Sequence, residues 1–437
     1  MSPATIGGAR ARAAGAATCL MIALSLAAGL SGGAFPAWPA GLVAWLIGIA
    51  LLPTISSFQR VQTGLMAGVG VAALAVAIAG GAGGVLGPLV VGNQALLAML
   101  ATVSFLRMVT RTGDDPDERL PRGRRALWQT LLATHLFGAV INISAAFIVG
   151  QRIARDGSLT PLQAKVVSRA FTAAACWSPL FAAMAVVLHY VPGVDMFHVT
   201  RVNLVLAVLL LGWSAQSLAR DAAVDDFVGF PLHREALTVP LLLAALVVGL
   251  YLLPTGWPIL STIIVAALGC VALLRMGRPP GETRRLLLHH VERELPRMGG
   301  EFALFLGASV LAGGIAALAS VGHLDLVIDP HQPREGIPLL FTLVALTLVG
   351  IHPVISVATL SGLFPTTLAA PDLVGIVVLM AWSVALGTSP FSGTALALQG
   401  RFGIPATRFL RWNLAYLAIG LVLASAVLLA ADYFAWA

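Results

Sequence analysis

Apolar runs of about 18 residues or more follow one another from end to end of this chain, divided by short arginine-bearing loops. A soluble chain of this size would carry roughly 25% charged residues. This one, 437 residues long, is 10% charged and 58% hydrophobic, with a mean hydropathy of +0.92. Inside a bilayer every backbone N–H and C=O must find its partner within the protein, which leaves helices or closed barrels. Runs of this length select helices. The sequence therefore predicts an all-α polytopic membrane protein, with no charged stretch long enough to form a separate soluble domain.

The predicted spans are roughly 16–34, 37–53, 63–80, 91–109, 168–190, 199–218, 237–253, 257–275, 299–320, 372–399 and 411–431. That makes about 11 transmembrane helices. Arg10 and Arg12 precede the first of them, which reads as a signal-anchor helix that stays in place. Cys19, Cys176 and Cys270 lie in apolar segments at no metal-like spacing, so neither a disulfide framework nor a zinc site is expected.

Charge decides how two further apolar stretches, 127–153 and 338–369, are placed. The loop before the first holds Arg107, Arg111, Arg119, Arg122, Arg124 and Arg125, and the loop after it holds Arg152, Arg155, Lys165 and Arg169. Cytoplasmic loops collect Lys and Arg, so both belong on one side and 127–153 enters and leaves there as a re-entrant hairpin. Arms of about 12 residues would reach about 18 Å, a little over half the hydrocarbon core. The stretch 338–369, flanked by Asp325, Asp329, Glu335 and Asp372, is expected to enter from the opposite face. The N-terminus is then cytoplasmic and the C-terminus outside, in the inner (plasma) membrane. Of the 26 Lys and Arg, only Arg201 and Arg334 fall outside. The net charge of +7 is thus explained without nucleic acid. "RRLLLHHVEREL" (284–295), with leucines on one side, is expected as an interfacial helix or a solvated loop helix.

The stretch 372–399 contains "GTSPFSGT" (387–394), which a hydrocarbon core rejects unless a cavity or protein satisfies the freed backbone. Its landmarks recur. "GAVINIS" (138–144), "CWSPLF" (176–181) and "TRVNL" (200–204) match "GIHPVIS" (350–356), "GTSPFS" (387–392) and "LRWNL" (410–414) in order. Ser144 to Ser178 is 34 residues and Ser356 to Ser389 is 33. Ser178 to Arg201 is 23 and Ser389 to Arg411 is 22. One copy approaches from each face, so the repeats are inverted: an N-terminal helix (1–36), repeat 1 (37–220) and repeat 2 (221–437). Inverted repeats with helices broken at matching positions point to alternating access, with a site at the repeat interface.

On these broken helices, paired hairpins and inverted halves, the sequence resembles the ion transporter superfamily, best known from the divalent anion:sodium symporters. The resemblance implies a lone first helix and two inverted repeats, each with scaffold helices, a re-entrant hairpin and a helix unwound at mid-membrane. The symporters carry a Ser-Asn-Thr signature. Here the hairpin tips read "NIS" (142–144) and "HPVIS" (352–356) instead. The large membrane subunit of TRAP transporters is similar in fold and length.

Serine then proline is a helix-start pattern, because serine caps the first free N–H groups and proline needs none. Ser178-Pro179 and Ser389-Pro390 are therefore expected to begin half-helices, and His352-Pro353 and Asn142 with Ser144 the returning hairpin arms. Each converging N-terminus favours an anion by about 0.3–1 kcal/mol. The predicted substrate- and ion-binding residues are Asn142, Ser144, Ser178, His352, Ser356, Thr388, Ser389, Ser392 and Thr394. Hydroxyls and carbonyls there also suit Na⁺ as a coupling ion; no other cofactor and no metal site is expected.

The expected function is secondary active transport of a small organic anion, a carboxylate, coupled to Na⁺ or H⁺ by elevator-type alternating access, in a homodimer surrounded by membrane lipid. The alternatives are a TRAP-type large permease subunit, with a binding protein and small subunit as partners, and an inorganic-ion or proton antiporter. All 19 Asp and Glu fall in loops or at span ends, which disfavours a proton antiporter; His135 and His352 are the groups expected to be able to carry a proton instead, with a hydrogen-bonded packing role the other expectation for His135. A membrane enzyme would need Asp-rich metal motifs or a polar catalytic loop, and neither is present, so no catalytic activity is expected.

Overall fold

A computed structural model describes residues 8–84, 86–109, 119–232, 238–322, 328–365 and 367–433. The regular elements among them are helices, joined by two isolated bridges, Arg122 with Val228 and Arg155 with Ser158. Six helical runs are long and apolar enough to cross a membrane: Gly8–Leu30, Ser57–Ala79, Gly87–Met108, Met196–Leu218, Pro280–Ser320 and Thr407–Tyr433. Large apolar side chains such as Leu65, Val69, Val208 and Val422 are exposed on them. Such a surface is stable against lipid tails and not against water. The chain is an all-α polytopic membrane protein.

It forms two compact units. The first comprises Met1–Val109, Leu242–Ile328 and Val357–Thr366; the second Thr110–Leu241, Asp329–Ser356 and Thr367–Ala437. Each therefore draws on both the 37–220 and the 221–437 stretches.

In the first unit, Ser56 and Gln59 form a reciprocal capping box that starts the helix Ser57–Ala79. This helix packs along Gly299–Ser320 through glycine backbones: a Cβ at Gly70 would collide with Val310 O, and one at Gly314 with Gly70 O. Small residues let apolar helices approach where no hydrophobic force separates protein from lipid. The segment 284–295 proves to belong to a continuous helical run. Pro280–His289 passes through a π turn at His290–Glu294 and a 3₁₀ turn into Gly299–Ser320. His290 is buried there against Ser104 Oγ, at 2.8 Å.

The second unit holds the features that the repeat singled out. Two helix pairs, Gly123–Ile141 with Ile143–Ile153 and Gly336–Leu348 with Pro353–Ser361, turn at residues 142 and 349–352. (The second pair's last arm runs past residue 356 into the first unit.) The leading arm of the first pair has 19 residues, longer than the arm of about 12 expected. Its first turn is polar, with exposed Arg124 and Arg125, so it extends beyond the apolar stretch. Two helices are interrupted. Pro161–Ala174 is followed by Ala182–Tyr190, and Pro371–Leu386 by Gly393–Phe402. A long helix closes each half, Met196–Leu218 and Thr407–Tyr433.

Candidate functional site

The interruptions are built alike. At the first, Ser178 Oγ donates to Ala139 O of the neighbouring helix pair and accepts from Leu180 N at 3.2 Å. At the second, Ser389 Oγ donates to Thr347 O at 2.8 Å and accepts from Phe391 N at 3.3 Å. Each serine thus ties a break to a carbonyl in the last turn of a helix-pair arm; Thr347 O accepts from Gly350 N as well, at 3.3 Å.

This corrects the expected helix starts. Ser178-Pro179 and Ser389-Pro390 do not begin the half-helices, which start at Ala182 and Gly393. The serines are committed to carbonyls of another element and close short turns instead. Ser392 is the residue that caps, accepting from Ala395 N at 3.1 Å, whereas Phe181 precedes the first half-helix without a side-chain cap. At the turn of the first pair, Asn142 adopts φ 51° and its Nδ2 donates to Leu180 O at 3.1 Å. A left-handed conformation is tolerated best by asparagine and glycine. Asn142 and Ser178 are thereby gathered around 178–180. At the second turn, Gly350 takes φ 102°, and His352 Nδ1 accepts from Val354 N at 3.2 Å.

Ser144, Ser178, Ser356, Thr388, Ser389, Ser392 and Thr394 are buried, and Asn142 and His352 half-buried. Ser356 Oγ is a buried hydroxyl without a hydrogen-bond partner. Thr388 Oγ1 lies 3.5 Å from Asn413 O. Among the described residues, no side-chain hydrogen bond joins one of these nine to another.

His135 has a packing role: Trp177 Nε1 donates to its Nε2 at 3.0 Å, and its Nδ1 lies 3.1 Å from Ala170 O. With Nε2 accepting, the proton resides on Nδ1, which fixes a neutral tautomer.

The feature that the sequence reading missed is Arg169. Counted there among the loop cations, it lies in the helix Pro161–Ala174 and is only 4% exposed. Its Nε donates to Asn413 Oδ1 at 2.8 Å, its Nη2 to Trp412 O at 3.0 Å and its Nη1 to Ser217 Oγ at 3.4 Å. The rings of Trp213 and Tyr416 lie 5.4 and 5.3 Å from the guanidinium carbon. Asn413 in turn donates through Nδ2 to Gly387 O at 2.6 Å. Gly387 O also accepts from Ser168 Oγ at 3.4 Å, and Ser383 Oγ donates to Thr172 O at 2.9 Å. The two interrupted helices therefore meet across a buried polar seam that carries one fixed positive charge. Asn203, the counterpart of Asn413, faces the matching position of the first break: Cys176 Sγ lies 3.6 Å from its Oδ1, and its Nδ2 is unsatisfied.

The signal for these residues was present in the matched "TRVNL" and "LRWNL". There the arginines served as landmarks, yet Arg201 and Arg411 are exposed while Asn203 and Asn413 are buried.

No family model and no curated protein matches the chain. Among solved structures it is similar to the crystal structure of the Alcanivorax borkumensis YdaH transporter. The likeness has a TM-score of 0.46 and 17% sequence identity, and covers 86% of this chain and 99% of that one. At that level it carries no functional argument. The helices and the buried seam define a polytopic, membrane-embedded protein with paired helix breaks, and the reading of its function rests on its own residues.

Proposed function

We propose that this protein is a secondary active transporter of a small organic anion, a carboxylate, working by alternating access between two inverted repeats. The observation that carries the reading is Arg169. Among the described residues it is the one buried arginine or lysine, and it bonds to an amide, a carbonyl and a hydroxyl rather than to a carboxylate. A buried charge is costly unless compensated. Among the described residues no Asp or Glu is buried, so no carboxylate there neutralises it. Binding an anion beside the second break answers that need. The unpaired hydroxyl of Ser356 and the N-terminus of Gly393–Phe402, capped by Ser392, add donors suited to the same ligand.

In this reading Asn142, Ser144, Ser178, His352, Ser356, Thr388, Ser389, Ser392 and Thr394 line the route and the site. Na⁺ or H⁺ is the coupling ion, the N-terminus faces the cytoplasm and the C-terminus the outside of the inner membrane. The lack of a buried carboxylate among the described residues favours the anion transporter over a proton antiporter.

The test is a thermal-shift screen of the purified protein against carboxylates, with and without Na⁺. A ligand at 100 times its Kd stabilises by about 2.7 kcal/mol, which is readily measured. The expected result is a shift with one class of carboxylate that Arg169→Gln abolishes. A protein that binds no carboxylate but moves protons or an inorganic ion in vesicles would overturn the reading.

A further inference from the structure

A second concentration of positive charge lies away from the seam, where the first helix pair begins. Arg119, Arg122 and Arg155 line a cavity of about 570 Å³ together with Leu120, Ile153 and Val228. The walls are stitched in place. Gly123 N donates to Phe227 O and Gly229 N to Pro121 O, both at 2.9 Å, and Arg155 pairs through its backbone with Ser158.

Ile153 O and Val228 O, on two of the walls, both accept from Gln163 Nε2, at 3.0 and 2.9 Å. Asp156, Asp225 and Asp226 stand in the adjoining loops, but among the described residues no carboxylate pairs with any of the three arginines. The helix Gly123–Ile141 starts beside the cavity, and Arg122 at its N-cap offers no side-chain cap, so the positive end of the helix adds to the field although Gly123 N itself is paired.

The apolar surface beside the cavity bears on the kind of ligand. Trp128 and Leu132 are 45% and 40% exposed on the same helix. Trp128 stands five residues, about 7 Å, above Gly123. Tryptophan on an outward face marks the headgroup level of a bilayer. This outward tryptophan favours a lipid phosphate over a soluble anion as the ligand of the cavity.

We propose that this cavity binds the phosphate of an anionic membrane lipid, held by Arg119, Arg122 and Arg155. Bidentate guanidinium contacts suit a phosphodiester. The inference is independent of the transported substrate.

The experiment uses full-length protein in nanodiscs of phosphatidylcholine with or without phosphatidylglycerol, and native mass spectrometry to count retained anionic lipid. Each arginine near the surface contributes about fivefold to anionic-lipid affinity. Arg119→Gln, Arg122→Gln and Arg155→Gln together should reduce retained phosphatidylglycerol at least tenfold, while Arg201→Gln, an exposed arginine elsewhere, should not. If the triple variant fails to fold, each single variant should lose about fivefold. Retention equal to wild type in every folded variant overturns the proposal. A second arm adds inorganic phosphate to lipid-free, detergent-solubilised protein. Stabilisation by phosphate that the triple variant loses, with no lipid preference in nanodiscs, assigns the cavity to a soluble anion and overturns the lipid reading.

Discussion

Arg169 and Asn413, 244 residues apart in sequence, are joined at 2.8 Å, and the same asparagine holds Gly387 O at 2.6 Å. One amide thus serves as acceptor for a buried cation and as donor to an unwound helix. Its two faces can be separated by mutation.

Asn413→Asp keeps an acceptor for Arg169 and removes the donor to Gly387 O, while its carboxylate cancels the fixed positive charge. The variant should fold with a melting temperature near that of wild type and lose anion binding by at least tenfold. Asn413→Leu removes one bond from the guanidinium and one from Gly387 O, which keeps only Ser168 Oγ at 3.4 Å, offers no charge in return, and should melt below wild type. Thermal melts beside ligand titration separate the two outcomes. Asn413→Asp binding carboxylates as tightly as wild type would remove Arg169 from the account.

Ser389→Ala should weaken the apparent substrate affinity by about fivefold, the worth of one ordinary hydrogen bond of roughly 1 kcal/mol. Its hydroxyl ties Thr347 O to the turn at Phe391, so the loss is geometric as well as polar. Thr342→Ala is the control. Thr342 is exposed and its Oγ1 donates to Pro338 O within its own helix, at 2.8 Å. Concentration-dependent uptake in proteoliposomes reads the difference. Equal affinities for the two variants would detach the serine from the substrate.

Acid should expose a separate pair. Asp221, in the segment after the helix Met196–Leu218, accepts from Lys165 Nζ at 2.8 Å, and that bond holds its carboxyl below the usual range. A carboxylate with a lowered folded pKa stabilises above its unfolded pKa and loses that contribution as pH falls through the folded value. Both groups are only partly buried, so the contribution is small. Lys165→Gln should therefore melt slightly below wild type between pH 5 and 8, and the gap should close below about pH 4. A gap that persists unchanged at pH 3 would show that Lys165 acts by packing rather than by charge.

The breaks were legible in the sequence because their chemistry is local. Proline, glycine and hydroxyls inside an apolar run are intolerable unless the helix stops, and both helices stop within a few residues of Ser178 and Ser389. What each serine does there was not legible. Ser178 reaches Ala139 across 39 positions and Ser389 reaches Thr347 across 42, and no local pattern encodes such a partner. Arg169 was misread for a related reason. Its neighbours Arg152, Arg155 and Lys165 fit a basic loop, and only the tertiary arrangement of Trp213, Tyr416 and Asn413 makes a buried place for a fourth cation. His135 is a further case: named in the sequence as a group able to carry a proton, it is held by two hydrogen bonds that only the tertiary arrangement supplies.

The paired bonds of Ser178 and Ser389 also bear on what is free to deform. Each fastens an irregular segment, which has no ladder of its own, to the last turn of a regular one. A load applied to either helix pair is therefore transmitted to its break without slack. In the proposed transport cycle a ligand cradle at the breaks would keep its shape, and the compliance that the cycle demands would reside in connectors that these serines do not clamp.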